Sequence, residues 1–384
     1  MKGHIRERSP GHWAIVLSLG TGKSRKLKWH SYKGTKRQAQ AECARLVAGL
    51  KEGSYVEPSK LTLADHLKAR LEQWETSKKI GAKTAERYAE LINNQIVPYI
   101  GGVTLQKLTA IEIENWHNRL ASAGRKDGKG GLSNRTIGHA HRVLSKALKD
   151  ASKFDLVMRN VATTQQPPTP DDEEVVIVEQ DRIKELLGKL SGRSMYPKAI
   201  TALFTGARRS ELLAMRWRYL NLERKTWEIC ESLEETRKHG IRVKKPKTKA
   251  GRRHVSLPEI VVDALREHRR AQLELRMKLG LGKLSDDDFV FADIDGNPRG
   301  PRAFSSEWAD CAASIGMPDV VFHALRHTHA SQLIDAGVDI VTISKRLGHA
   351  NPNITLKVYA HLFRNKDEKA ADAINTALAN LGEA

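Results

Sequence analysis

Several things are scarce in this 384-residue chain. Cysteine occurs three times, at Cys43, Cys230 and Cys311. An odd, widely spaced set builds neither a disulfide framework nor a zinc finger, and it suits a reducing cytoplasm. Aromatic residues make up only 5%, and no pattern of them offers a stacking platform for single-stranded nucleic acid. No apolar run approaches the roughly 18 residues that a membrane-spanning helix needs. The N-terminal stretch MKGHIRERSPGHW lacks the apolar core of a signal peptide, so a cytoplasmic setting is expected. Acidic residues also fall short, at 45 against 65 Lys and Arg, a net charge of +20. That excess calls for a polyanionic partner, and double-stranded DNA gripped through its phosphates fits best.

The chain is too long for one ordinary core, so two or three domains are expected. Residues 1–57 read as a small basic unit with 12 Lys and Arg against four acidic residues. HWAIVLSL and KLKWHSY have strand composition, and a helix follows from Thr35, where Gln38 completes a capping box. Between the strands, GTGKS imitates a phosphate-binding loop. That loop needs a glycine five positions before Gly22, where Leu17 stands, and a helix after it, where a strand is expected; nucleotide binding is therefore rejected.

Residues 60–162 read as helical. Thr62 with Asp65 and Thr109 with Glu112 open two helices, a third spans about 84–95 and ends before Pro98, and a fourth starts after Ser133. The segment 163–175, TTQQPPTPDDEEV, is a linker that no helix can cross. Residues 176–384 begin and end with helices around strand-like segments, TWEIC, IRVKK and RRHVSL. The expected class is α+β and multidomain: a small β-sheet with a helix, a helical domain, and a mainly helical domain with a small antiparallel sheet.

Five segments of the last domain carry unusual chemistry. FTGARRSELLAMRW holds Arg208 and Glu211. PKTKAGRRHVSLP holds Lys247 in an expected hairpin. FHALRHTHAS holds His323 and Arg326 on one helical face. LGHANPN holds His349, and TLKVYAH holds Tyr359. Taken alone, Tyr359 reads as a ring packed in a core. Taken together, two permanently cationic arginines can grip one phosphate, imidazoles can move protons, a lysine can protonate a leaving alkoxide, and a phenolic oxygen can attack phosphorus. A free phenol has a pKa of about 10, so forming phenolate at pH 7 costs about 4 kcal/mol unless the site helps.

T-G-x-R-x-[ST]-E, P-K-T, H-x-x-R-H, and L-G-H with Tyr ten residues on, in this order, resemble the tyrosine recombinase (phage-type integrase) family. The boxes span residues 176 to about 365. With less specificity, residues 60–162 resemble its core-binding domain and residues 1–57 its arm-type DNA-binding domain. The resemblance implies that Tyr359 is the nucleophile, forming a 3′-phosphotyrosine and freeing a 5′-hydroxyl. It implies that Arg208 and Arg326 bind the scissile phosphate, His323 is the general base, Lys247 the general acid, and His349 a hydrogen-bonding group for the transition state. Glu211 would orient Arg208 or His323. The implied protein is a site-specific recombinase of a mobile element. It would act as a homotetramer on core and arm attachment sites through a Holliday junction, with DNA-bending accessory proteins as candidate partners and neither metal, ATP nor other cofactor.

Other readings of the same residues are blander. His323 and His327 sit four apart, as a metal pair would, but no third ligand follows at zinc spacing, so no metal is expected and His327 is read as a supporting or packed histidine. Lys247 competes with Lys244, Lys245 and Lys249 and is chosen because PKT matches the family box. Ala371, Ile374, Leu378 and Leu381 give the tail an amphipathic face, for packing on its own domain or, as the resemblance implies, on a neighbouring protomer. The rival functions are a type IB topoisomerase-like relaxing enzyme, disfavoured by the arm-like N-terminus, and a catalytically inactive DNA-binding regulator, disfavoured by the complete set of reactive residues.

Overall fold

β1 (Lys2–Ser9) is a strand that its charge conceals: KGHIRERS carries only Ile5 as a strong apolar signal. It pairs antiparallel with β2 (His12–Leu19), which pairs in turn with β3 (Lys26–Lys33). The computed structural model describes residues 2–19, 26–51, 55–171, 176–246, 248–360 and 374–375. The GTGKS segment lies outside these residues, but the element that follows it is β3, not a helix. α1 (Lys36–Lys51) begins where Gln38 Oε1 accepts from the Thr35 backbone N–H at 2.9 Å and Thr35 Oγ1 accepts from the Gln38 N–H at 3.3 Å. It covers the sheet through Cys43 and Leu46, against Ile15 and Leu17.

The described chain divides into two compact units, residues 1–172 and 173–384. In the first, the sheet is followed by α2 (Leu63–Thr76), α3 (Ala82–Leu91), α4 (Val97–Ile100), α5 (Ala110–Ala123) and α6 (Asn134–Lys153). Thr62, Thr109 and Ser133 cap α2, α5 and α6 through their hydroxyls, as their positions in the sequence predict. Pro98 does not end a helix. A π turn at Ile92–Ile96 leads into α4, where Pro98 occupies the first turn and its missing N–H costs nothing. The bundle closes on Trp74, Trp116, Leu67, Ile113 and Leu144.

The second unit contains α7 (Gln180–Leu190), α8 (Tyr196–Thr205), α9 (Arg209–Leu212), β4 (Leu220–Asn221), β5 (Thr226–Ile229), β6 (Ser232–Thr236), β7 (Gly240–Lys244) and β8 (Arg253–Ser256). After these come α10 (Glu259–Lys278), α11 (Pro301–Ser314), α12 (Phe322–Asp335), α13 (Ile340–Leu347) and α14 (Pro352–Tyr359). The fold is α+β, with small antiparallel sheets ordered β4-β5-β8 and β6-β7. The expected hairpin around Lys247 needs correcting. β7 pairs with β6 and β8 with β5, so the two described strands on either side of Lys247 belong to different sheets and do not pair as a hairpin. Lys247 itself lies outside the described residues, as does the tail apart from Ile374 and Asn375.

Candidate active site

The T-G-A-R box begins where α8 stops. Gly206 caps α8 with φ +65°, and a Cβ there would stand 2.6 Å from the His329 ring and 2.7 Å from Leu347. The glycine thus serves both a left-handed turn and a close approach. The chain then places Arg208 at the start of α9, its side chain 36% exposed. Glu211, one turn on and only 5% exposed, accepts from the Arg208 backbone N–H at 2.9 Å and from Arg208 Nη1 at 2.7 Å. So Glu211 orients Arg208; among its described partners there is no histidine.

Arg326 on α12 is 4% exposed. Its Nη1 donates to the Gly206 carbonyl at 2.5 Å, and its Nη2 donates to the Leu347 carbonyl at 2.8 Å and to His349 Nε2 at 2.9 Å. Arginine only donates, so His349 Nε2 must be the acceptor. The proton of His349 is therefore on Nδ1, which lies 2.7 Å from Thr355 Oγ1. Burial first, then the charges of Arg326, Arg208 and Arg253, pull the His349 pKa down to about 4. Here its Nε2 serves Arg326 and does not point a proton at a ligand.

Tyr359 answers to both of its readings. Its ring, 1% exposed, sits in a small core with Ala330, Ile334, Ile343 and Leu347, between α12 and α13. Its hydroxyl reaches out of that core to His327 Nδ1, 2.7 Å away. Burial pushes the phenol up to about 12, and only the neighbouring Arg326 pulls it back. The hydroxyl's partner is thus His327, not the expected His323. One helical turn earlier, the His323 ring meets His327 edge-on at 4.7 Å between centroids. The surrounding protein strips hydration from the His323 imidazole and, with Arg326, Arg208 and Arg209, lowers its pKa. His327 is held down to about 4 by burial, then by His323 and Arg326.

Two participants escaped the sequence reading. Arg253, at the start of β8, donates Nη2 and Nη1 to the two Glu211 carboxylate oxygens at 2.9 and 3.2 Å. Arg346 donates to His329 Nε2 at 3.0 Å and to the carbonyls of Phe204 and Ser256. A signal for Arg253 exists in RRHVSL. Strand alternation puts Arg253 in register with the inward Val255, and an arginine on a buried face needs a partner. Around one buried carboxylate the site gathers Arg208, Arg253 and Arg326. Burial and the Arg208 charge bring even Arg326 down to about 9. Such a cluster lacks negative charge, and a phosphodiester would supply it. Among the described residues no cluster of His, Cys, Asp or Glu could hold a metal ion, and no helix is long and apolar enough to cross a membrane.

The fold and these residues define a class that comparison with known proteins identifies. The family described as phage integrase matches residues 177–366, and the phage integrase N-terminal SAM-like domain matches residues 67–121. A tyrosine recombinase XerC-like protein of Caldanaerobacter subterraneus subsp. tengcongensis is 26% identical, with 95% of this chain and 96% of the relative covered. The ICEBs1 integrase of Bacillus subtilis is 27% identical over 75% of this chain and 76% of its own. In fold, the chain resembles the Tn1549 transposon integrase solved with transposon right end DNA. The TM-score is 0.69 at 21% identity, with 83% of this chain and all of the other covered. This chain belongs to the phage integrase, or tyrosine recombinase, family.

Proposed function

We propose that the protein is a site-specific integrase of a mobile element that cuts and rejoins duplex DNA through Tyr359. One observation carries the reading: the Tyr359 hydroxyl lies on an imidazole adjacent in sequence to Arg326, in a site where Arg208 and Arg253 share the Glu211 carboxylate and Arg326 feels its charge. Arg208 and Arg326 bind the scissile phosphate. The Tyr359 oxygen forms an ester to phosphorus on the 3′ side, the bond from phosphorus to the 5′-oxygen breaks, and Lys247 gives that oxygen its proton. The 5′-hydroxyl of a partner strand reverses the step, so the ester stores the bond energy and ligation needs no ATP or metal.

His327 takes the phenolic proton in this proposal, in place of His323. A phenol at about 12 and an imidazole at about 4 are mismatched by roughly 8 units. A fully formed phenolate would cost on the order of 10 kcal/mol. The proton therefore moves as the bond to phosphorus forms, with the arginines stabilising the extra charge of the pentavalent state. His349 joins that stabilisation once a phosphate draws Arg326 away from its Nε2 and the ring carries its proton on that nitrogen, Nδ1 then accepting from the Thr355 hydroxyl.

Residues 1–57 would hold arm sites, residues 60–162 core sites, residues 163–175 would link, and residues 176–384 would cut. Four protomers would pass two strand exchanges through a Holliday junction, the amphipathic tail docking on a neighbour. A nicked suicide duplex carrying the element's end tests this. Wild-type protein should form a covalent adduct in the presence of EDTA, and Tyr359→Phe should form none while binding the duplex within about threefold. Equal adduct from both proteins would overturn the assignment of Tyr359. Relaxation of a plasmid with no target site would instead favour a type IB topoisomerase.

A further inference from the structure

Helix α13 ends with three consecutive backbone carbonyls, and each is taken by a different arginine. Arg253 Nε donates to Arg346 O at 2.7 Å, Arg326 Nη2 to Leu347 O at 2.8 Å, and Arg208 Nη2 to Gly348 O at 3.0 Å. The last carbonyls of a helix have no intrahelical partner and carry the negative end of its dipole, so cations gather there. Two of the three arginines are the proposed phosphate ligands. The third, Arg253, is neither a proposed phosphate ligand nor a proposed acid or base.

We propose that Arg253 is a positioning residue for strand cleavage, holding Arg208 and the turn before His349 in one rigid frame. This rests on the recombinase reading above. Arg253 is buried, and its nitrogens already have partners within the protein: Nε on Arg346 O, Nη1 and Nη2 on Glu211. It acts in two directions. Toward Glu211 it gives two hydrogen bonds, fixing the carboxylate whose other contacts are Arg208 Nη1 and the Arg208 backbone N–H. Toward α13 it holds Arg346 O and lies against Gly348. A Cβ on Gly348, where φ is +68°, would stand 2.6 Å from Arg253 Nη1. Since Arg208 also holds Gly348 O, the contacts close a ring: Arg208, Glu211, Arg253, the end of α13, and back to Arg208.

Lysine cannot reproduce this frame. A guanidinium donates bidentately to a carboxylate and in a third direction from Nε, whereas an ammonium is a single point charge. Arg253 also begins β8, six residues after Lys247, so the ring anchors the near end of the segment that carries the proposed general acid.

The test compares wild type, Arg253→Lys and Arg253→Ala on the nicked duplex in single turnover, alongside duplex affinity and thermal melting. Each protein is also given a duplex whose scissile phosphate is a methylphosphonate, which has no negative charge for Arg208 to hold. Arg253→Lys is expected to melt near wild type, to bind within about threefold, and to cleave the phosphate duplex at least about tenfold more slowly. Its deficit on the methylphosphonate should be clearly smaller. Wild-type cleavage by either folded variant would overturn the proposal. So would an equal deficit on both duplexes, because a purely structural defect does not distinguish them. If Arg253→Ala fails to fold, Arg253→Lys alone decides. If wild-type protein forms no adduct at all, the recombinase reading fails first, and this inference with it.

Discussion

At the scale of single residues, the site depends on backbone as much as on reactive side chains. Gly206 separates α8 from Arg208 at φ +65°, and its missing Cβ admits both the His329 ring and Leu347. Gly206→Ala must pay for a left-handed alanine and for overpacking against two buried groups, together roughly 2 kcal/mol or more. A lower urea midpoint is expected, with a larger loss in adduct formation than in duplex binding, since the displaced residue is two positions from Arg208. An unchanged midpoint would show that the turn has another way to close. His349 makes a related point. Its tautomer follows from Arg326, which can only donate, so a phosphate arriving at Arg326 also decides what His349 can offer.

Among the elements, α5 and α6 carry a pH dependence that their helical pattern does not announce. His117 on α5 and His141 on α6 are both buried, with His117 Nε2 3.2 Å from His141 Nδ1. One of the two nitrogens must accept, so both rings cannot carry full protonation in this geometry. Burial, and then His141, pull the His117 pKa down to about 4, and burial also lowers His141. The folded state therefore binds fewer protons than the unfolded chain between about pH 6.5 and 4. Stability is complete above the unfolded value and is lost as pH falls through that window, by roughly 3 kcal/mol at most for His117. Urea unfolding at pH 7 and pH 5 should show a lower midpoint at pH 5, and His117→Gln should narrow the gap. His66 and the active-site histidines shift the same way, so the gap shrinks without vanishing. An identical gap in the variant would refute the pair's part in it.

For the whole molecule, the governing quantity is a net charge of +20. A chain that neutralises roughly 6–10 phosphates releases as many counterions, and its duplex affinity should fall by about 10³–10⁵ between 50 and 200 mM salt. Binding isotherms across that range check this; a flat response would exclude a phosphate-tracking grip. The adduct yield at saturating protein should change far less, because the buried arginines near Tyr359 are screened less than surface charge.

Sequence by itself determined what is encoded within a turn or two of helix: the caps at Thr35, Thr62, Thr109 and Ser133, the apolar faces of the helices, and the ordered boxes that place the chain in its family. Tertiary structure decided what depends on residues far apart in the chain. β8 pairs with β5 rather than β7, so these two described strands do not form the hairpin their order suggests. Tyr359 is both a core ring and a hydroxyl aimed at His327, because one end of the side chain is apolar and the other is not. The arginine frame joins positions 208, 253, 326 and 346–348, whose alignment depends on where α13 ends against α9 and β8. Local pattern reports a helix end; only packing reports which charges converge on it.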